Sequence, residues 1–102
     1  MNSLIQQHKA DLDRLCRQFS VRRLELFGSA AVGTFDLNRS DLDFLVQFDE
    51  LPPMRYADVY FNLKEALETL FGRPVDLITE ANLGNPYFRQ RVLAERQQVY
   101  AR

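Results

Sequence analysis

The sequence predicts an α/β (α+β) fold, a small sheet with helices over one face, and three observations carry that expectation. Segments of period-two hydrophobicity, VRRLELF, DLDFLVQF and PVDLIT, alternate with segments whose apolar residues keep helical spacing. Turn formers separate them: Gly28-Ser29, Pro52-Pro53, Gly72 and Asn85-Pro86. On two of the three strands aspartates break the apolar pattern, so one face of the sheet is hydrophobic and the other carries acids.

Taken in order, Leu4, Ile5, Leu12, Leu15, Cys16 and Phe19 predict an amphipathic helix over residues 3–19. Residues 21–27 alternate as a strand, with Leu24 and Leu26 on one side and Glu25 on the other. Gly28-Ser29 ends it, and a short helical turn through Ala30 and Ala31 closes near Gly33. The polar segment 34–40 reads as a loop. In 41–48, Leu42, Phe44, Val46 and Phe48 share one face, and Asp41, Asp43, Leu45 and Gln47 the other. Residues 49–54 read as a loop, because Pro-Pro resists helix and central strand alike. Tyr56, Val59, Tyr60, Leu63, Leu67, Leu70 and Phe71 form one stripe of a helix that Gly72 terminates. Residues 74–79 are a strand with Val75 and Leu77 opposite Asp76 and Ile78, and residues 87–95 a helix. The last segment, QQVY, fits a further turn and a short edge strand equally well.

At 102 residues the chain is expected to be one domain, residues 1–102. A net charge of −1 argues against a dedicated nucleic-acid binder, so direct nucleic-acid contact is not expected. No apolar run reaches the ~20 residues of a membrane span, and the N-terminus lacks a signal-peptide pattern. Cys16 is alone, which rules out an internal disulfide and makes a reducing cytoplasm the default location.

The chemistry concentrates between residues 27 and 46, with Asp76 further on. Residues two apart on a strand point the same way, so Asp41 and Asp43 form a carboxylate pair. If the strand 74–79 lies beside 41–48, Asp76 completes a three-carboxylate cluster whose apolar reverse face the two long helices cover. Such a cluster raises its own pKa values unless a cation neutralises it, and Mg²⁺ is the natural hard ion for oxygen ligands shared with phosphates. Ser29 stands where a strand turns into a helix, a place where backbone N–H groups and a hydroxyl can meet a phosphate. By itself, a serine there is more often a helix cap, and a lone D-x-D more often a solvated strand end. His8 reads as a packing residue, Cys16 as a small core residue, and Tyr56, Tyr60, Phe61 and Phe71 as core aromatics. Arg89, Arg91 and Arg96 read as a solvated helix face, with a partner surface as the alternative.

Gly28-Ser29, then Asp41-x-Asp43 twelve residues later, then Asp76 on a separate strand, resembles the nucleotidyltransferase superfamily of DNA polymerase beta. Within it the short chain is similar to the minimal nucleotidyltransferases (MNT proteins). The resemblance runs from about residue 20 to 80. It implies a palm with a mixed sheet, two Mg²⁺ ions, and transfer of a nucleoside monophosphate with release of pyrophosphate. Carried over by position, Asp41, Asp43 and Asp76 would be the catalytic and metal-ligating residues, with Asp76 also helping to deprotonate the incoming hydroxyl. Gly28, Ser29, Gly33, Arg39 and Ser40 would bind the nucleotide, Ser29 holding its terminal phosphates. One position departs from the family pattern: Val32 stands where G-S-x-A-R-G places arginine.

A palm of this length is expected to borrow its acceptor site from another protein. The MNT proteins are typically antitoxins paired with a HEPN-domain ribonuclease toxin, and resemble enzymes that move AMP from ATP onto a toxin tyrosine. The resemblance therefore implies a Mg²⁺-dependent protein adenylyltransferase acting as an antitoxin, with ATP as substrate and a HEPN toxin as partner. Two alternatives stand beside it. One is a non-catalytic palm that neutralises its toxin by binding, which Val32 favours. The other is a nucleotidyltransferase acting on a small molecule or RNA.

Overall fold

In chain order the elements are α1 (Ser3–Gln7), α2 (Lys9–Gln18), β1 (Val21–Phe27), α3 (Ser29–Val32), β2 (Leu42–Phe48), α4 (Pro53–Phe71), β3 (Val75–Ile78), a 3₁₀ turn (Glu80–Asn82), α5 (Pro86–Glu95) and β4 (Gln97–Ala101). The computed structural model describes residues 3–34 and 41–102, so most of the segment read as a loop lies outside the described residues. The sheet is mixed, in the order β3-β2-β1-β4. β1 runs antiparallel to both β2 and β4, while β2 and β3 are parallel and joined through α4. No helix among the described residues is long and apolar enough to cross a membrane.

Strand alternation sorts the sheet into two faces. Leu24, Leu26, Leu42, Phe44, Val46, Val75 and Leu77 project into the main core, met by Leu12 and Cys16 of α2 and by Leu63, Leu67 and Phe71 of α4. Cys16 is fully buried, and that burial pushes its thiol up to about 12, so it is a packing residue. Phe27, Leu45 and Ile78 project to the opposite face, where Leu83, just past the 3₁₀ turn, and Val92 of α5 cover them. The two long helices thus cover one face as expected, and α5 screens part of the other because three apolar strand residues point there.

Several boundaries differ from the sequence expectation. The first helix breaks at His8, whose N–H bonds to the Ile5 carbonyl at 3.1 Å while its Nδ1 reaches the Leu4 carbonyl at 2.9 Å. The His8 ring packs edge-on to Phe71, with centroids 5.3 Å apart. Residues 53 and 54, expected in a loop, belong to α4, since proline fits the first helical position, where no intrahelical N–H is needed. Gly72 ends α4 in the left-handed conformation, as expected, donating its N–H to the Glu68 carbonyl. The undecided last segment is the edge strand β4. Of the aromatics expected in the core, Phe71 is buried and Tyr60 half-buried, but Phe61 is exposed because it lies off the Val59–Leu63–Leu67 stripe. Tyr56, on the stripe but in the first turn of α4, is exposed and packs edge-on to Phe48 with centroids 5.5 Å apart.

Candidate active site

The site forms where β1 ends and β2 and β3 begin. Phe27 pairs with Asp43 across the antiparallel ladder, and Asp43 pairs with Asp76 across the parallel one. Paired residues on neighbouring strands share a face, and strands lie about 4.8 Å apart, so the two carboxylates stand side by side. Asp41 is exposed just before β2 begins. Burial pushes the Asp43 carboxyl up to about 6, and the charges of Asp76 and Asp41 push it the same way; Arg91 opposes them and Glu95 adds to them. Of the three acids that the sequence singled out, the structure pairs Asp43 with Asp76 and leaves Asp41 at the start of β2, close enough for its charge to act on Asp43.

Gly28 is the pivot of the adjoining turn. Its φ of 70° is ill-suited to other residues, and a Cβ there would run into the Asp43 carboxylate. Gly28, and not Ser29, takes the N-cap position of α3, and its carbonyl accepts from Ala31 and Val32 at 3.0 and 3.1 Å. Ser29 is thus the first helical residue and not the cap. Gly33 ends α3 in the left-handed conformation, with φ 88°. Val32, 51% exposed on that same turn, offers no charge. Arg39 and Ser40, the other candidate nucleotide-binding residues, lie outside the described residues.

Residues that local sequence patterns do not reveal hold this frame in place. From α4, the Glu68 carboxylate accepts the Val75 N–H at 3.0 Å and the Tyr60 hydroxyl donates to the Leu77 carbonyl, so the backbone is fixed on both sides of Asp76. The Val75 N–H holds the Glu68 carboxyl below its usual range. Burial pushes the Tyr60 hydroxyl up, with Lys64 opposing and Asp76 adding to the rise, which places the phenol near Asp76. Arg91, expected on a solvated face, is exposed over the Phe88 ring at 5.6 Å and close enough to Asp43 to act on its charge. Arg96 pairs with Glu25 at 3.4 Å. A helical stripe that continues with polar residues at Tyr60, Lys64 and Glu68 was the only sequence signal for the α4 contacts.

The donor set suits a hard divalent cation. Among the described residues no three acidic, imidazole or thiol side chains stand placed to hold a metal ion by themselves. Mg²⁺ does not require such a set, since it is commonly held by one or two carboxylates and completes its shell with substrate phosphates and water. Adjacent carboxylates that raise the pKa of Asp43 are what such a cation would relieve.

Comparison with known proteins gives a consistent outcome. Residues 10–99 match the nucleotidyltransferase domain family. The chain is 35% identical over 83 residues to the protein adenylyltransferase MntA of Thermococcus cleftensis, covering 81% of this chain and 77% of that one. A solved structure provisionally described as a minimal nucleotidyltransferase is 34% identical, with a TM-score of 0.75 and 95% of each chain covered. A chain from the complex of a tri-AMPylated Shewanella oneidensis HEPN toxin with an MNT antitoxin shares the fold at 20% identity, with a TM-score of 0.62 over 96% of this chain and 73% of that one.

Proposed function

This chain belongs to the nucleotidyltransferase domain family and is a nucleotidyltransferase, and from that premise we propose that it moves AMP from ATP onto a tyrosine hydroxyl of a HEPN-domain toxin as the antitoxin of the pair. The observation that carries the reading is the register match of Asp43 with Asp76 beside the Gly28-Ser29 turn. It sets an acid pair next to a place for phosphates, as an in-line displacement at phosphorus requires. The name of the Thermococcus relative supports a protein as the acceptor, and the fold's occurrence in a HEPN–MNT complex supports the partner.

In the proposed reaction the tyrosine oxygen forms a bond to the α-phosphorus while the bond to the bridging oxygen breaks and pyrophosphate leaves. Ser29 and the start of α3 bind the terminal phosphates, with Gly28 allowing the close approach, Gly33 closing the turn, and Arg39 and Ser40 contributing from the segment before Asp41. Asp41, Asp43 and Asp76 would hold two Mg²⁺ ions, which supply electrostatic stabilisation of the charge that builds on the transferring group. Asp76 accepts the proton of the incoming hydroxyl, and its place between the fixed backbone of Val75 and Leu77 keeps it aimed.

The test is incubation with labelled ATP, Mg²⁺ and the protein encoded beside this one, followed by mass spectrometry. An AMP adduct on a partner tyrosine is expected. No adduct under any metal condition, with the complex intact, would instead support the second reading, an antitoxin that acts by binding alone. Exposed, uncharged Val32 on the phosphate-side turn is the observation that favours that reading.

A further inference from the structure

α5 and β4 approach the phosphate-side turn from the far end of the chain. The Glu95 carboxylate accepts the Gly28 N–H at 3.2 Å, joining residues 67 apart in sequence. Two residues on, the Gln97 amide donates to the Ala31 carbonyl at 2.9 Å, so α3 is gripped near both ends by one short segment. Between these contacts, Arg96 reaches back to Glu25 on β1. On its other side Gly28 abuts the Asp43 carboxylate so closely that a single added carbon would collide with it. The turn is therefore wedged between two carboxylates, Glu95 holding its backbone and Asp43 filling the space against its Cα.

A fourth acid beside three others is unfavourable for charge alone, and Glu95 adds to the upward pressure on Asp43. Its place is better explained by reach, since it supplies an acceptor to an N–H that the four-residue helix leaves without an intrahelical partner. We infer that Glu95 is a positioning residue, which sets the Gly28-Ser29 turn against Asp43 through the Gly28 N–H, with Gln97 holding the other end of α3. Glu95 touches neither substrate nor metal in this role. Without the contact the turn shifts away from Asp43, and the terminal phosphates no longer sit in register with the acid pair. The inference rests on the nucleotide-binding reading of that turn.

Three variants separate reach from charge. Glu95→Gln keeps an acceptor oxygen at the same distance and removes the charge. Glu95→Asp keeps the charge and withdraws it by one methylene. Glu95→Ala removes both. Each is assayed for ATP affinity by titration with Mg²⁺ and for kcat and KM of AMP transfer, with melting temperature measured alongside. Expected is a loss of about tenfold or more in kcat/KM for Glu95→Ala and Glu95→Asp, with weaker ATP binding, because displacements on the order of 1 Å at a reacting centre cost up to a hundredfold. Glu95→Gln should stay within about threefold of the parent, well under the 1.4 kcal/mol that one decade represents. Gln97→Ala, which leaves the acids untouched, should move the same parameters in the same direction by less. Glu95→Asp active and Glu95→Gln impaired would assign Glu95 a role through charge and overturn the inference. So would a fully active Glu95→Ala, or a melting temperature that falls while the kinetics of the folded protein stay unchanged. If the parent binds ATP but transfers nothing, the transfer reading fails and the affinity measurements still decide this one; a parent that binds no ATP overturns both.

Discussion

The two faces of the sheet are built from the same strands and differ in almost everything else. On one, Leu24, Leu26, Phe44 and Val46 meet α2 and α4 in a continuous apolar core. On the other, Phe27, Leu45 and Ile78 form a small cluster under α5, and Asp43 and Asp76 stand beside it. A residue's parity along the strand decides whether it serves stability or chemistry. The first face gains stability from every residue on it. The second sets the half-buried carboxylate of Asp43 beside the exposed one of Asp76, and like charges so placed cost stability.

The comparison breaks most visibly if an acid is neutralised. Asp43→Asn or Asp76→Asn should lower AMP transfer by about 10²–10³-fold or more, the scale of losing one preorganised electrostatic group at a transition state. The same variants should fold as well as the parent. Transfer that persists in the double variant would mean that the reaction does not use this pair.

The reverse experiment is Leu67→Ala on the core face, where the side chain is fully buried. Truncation there should cost about 2–5 kcal/mol. For a chain of this size that lowers Tm by about ten degrees or more. At temperatures where the variant remains folded, kcat should hold near the parent value, so the two faces would dissociate in calorimetry and kinetics. A loss of kcat equal to that of Asp76→Asn would show that the faces are coupled through α4, whose Tyr60 and Glu68 fix the β3 backbone.

A third effect is smaller and depends on pH. Burial, with the charges of Asp76 and Asp41, pushes the Asp43 carboxyl up to about 6 in the folded chain, from an ordinary value of 3.8. A carboxyl whose pKa is raised by folding favours the native state most fully below its unfolded pKa, and that support is lost as pH climbs through the folded one. With metal chelated, stability should therefore fall between about pH 4 and pH 6, by roughly 1–2 kcal/mol once solvent screening of a half-exposed group is allowed for. Asp43→Asn should flatten that segment of the curve, as measured by urea melts across the range. Mg²⁺ with nucleotide should do the same in the parent by linkage.

How much of this was legible beforehand follows from the range over which each interaction acts. Strands 21–27, 41–48 and 74–79 were readable because burial on one face writes a period of two into adjacent residues. The Asp43–Asp76 pair followed from the same parity, needing only that β2 and β3 be neighbours. The start of α4 was misplaced because a Pro-Pro pair reads as a breaker, although its second member opens the helix. The break at His8 leaves no mark in an apolar pattern that runs through it. Short β4 could not be told from a turn, because its strand character comes from pairing with β1, more than seventy residues earlier. The Glu95 contact with Gly28 was invisible for the same reason, as no local pattern announces a hydrogen bond across 67 positions.

The smallest predicted effect tests the departure at position 32. Val32 closes α3 with half its surface in solvent, on the turn that faces the acids. An arginine there could donate a charge-assisted hydrogen bond to a terminal phosphate, worth about 1.5–3 kcal/mol where it forms. Its exposure points to the lower end of that range, since water and salt compete for both partners. Val32→Arg should therefore tighten ATP binding by about tenfold, the equivalent of 1.4 kcal/mol. The gain should shrink as salt is raised, which separates a charge effect from a change in packing. The carboxylate face would then hold a cation opposite its acids, and the contrast with the core face would sharpen without any change to the core. Equal affinity in the two variants at low salt would mean that the phosphates do not lie within reach of residue 32, or that another cation, with Arg39 the first to test, already serves them.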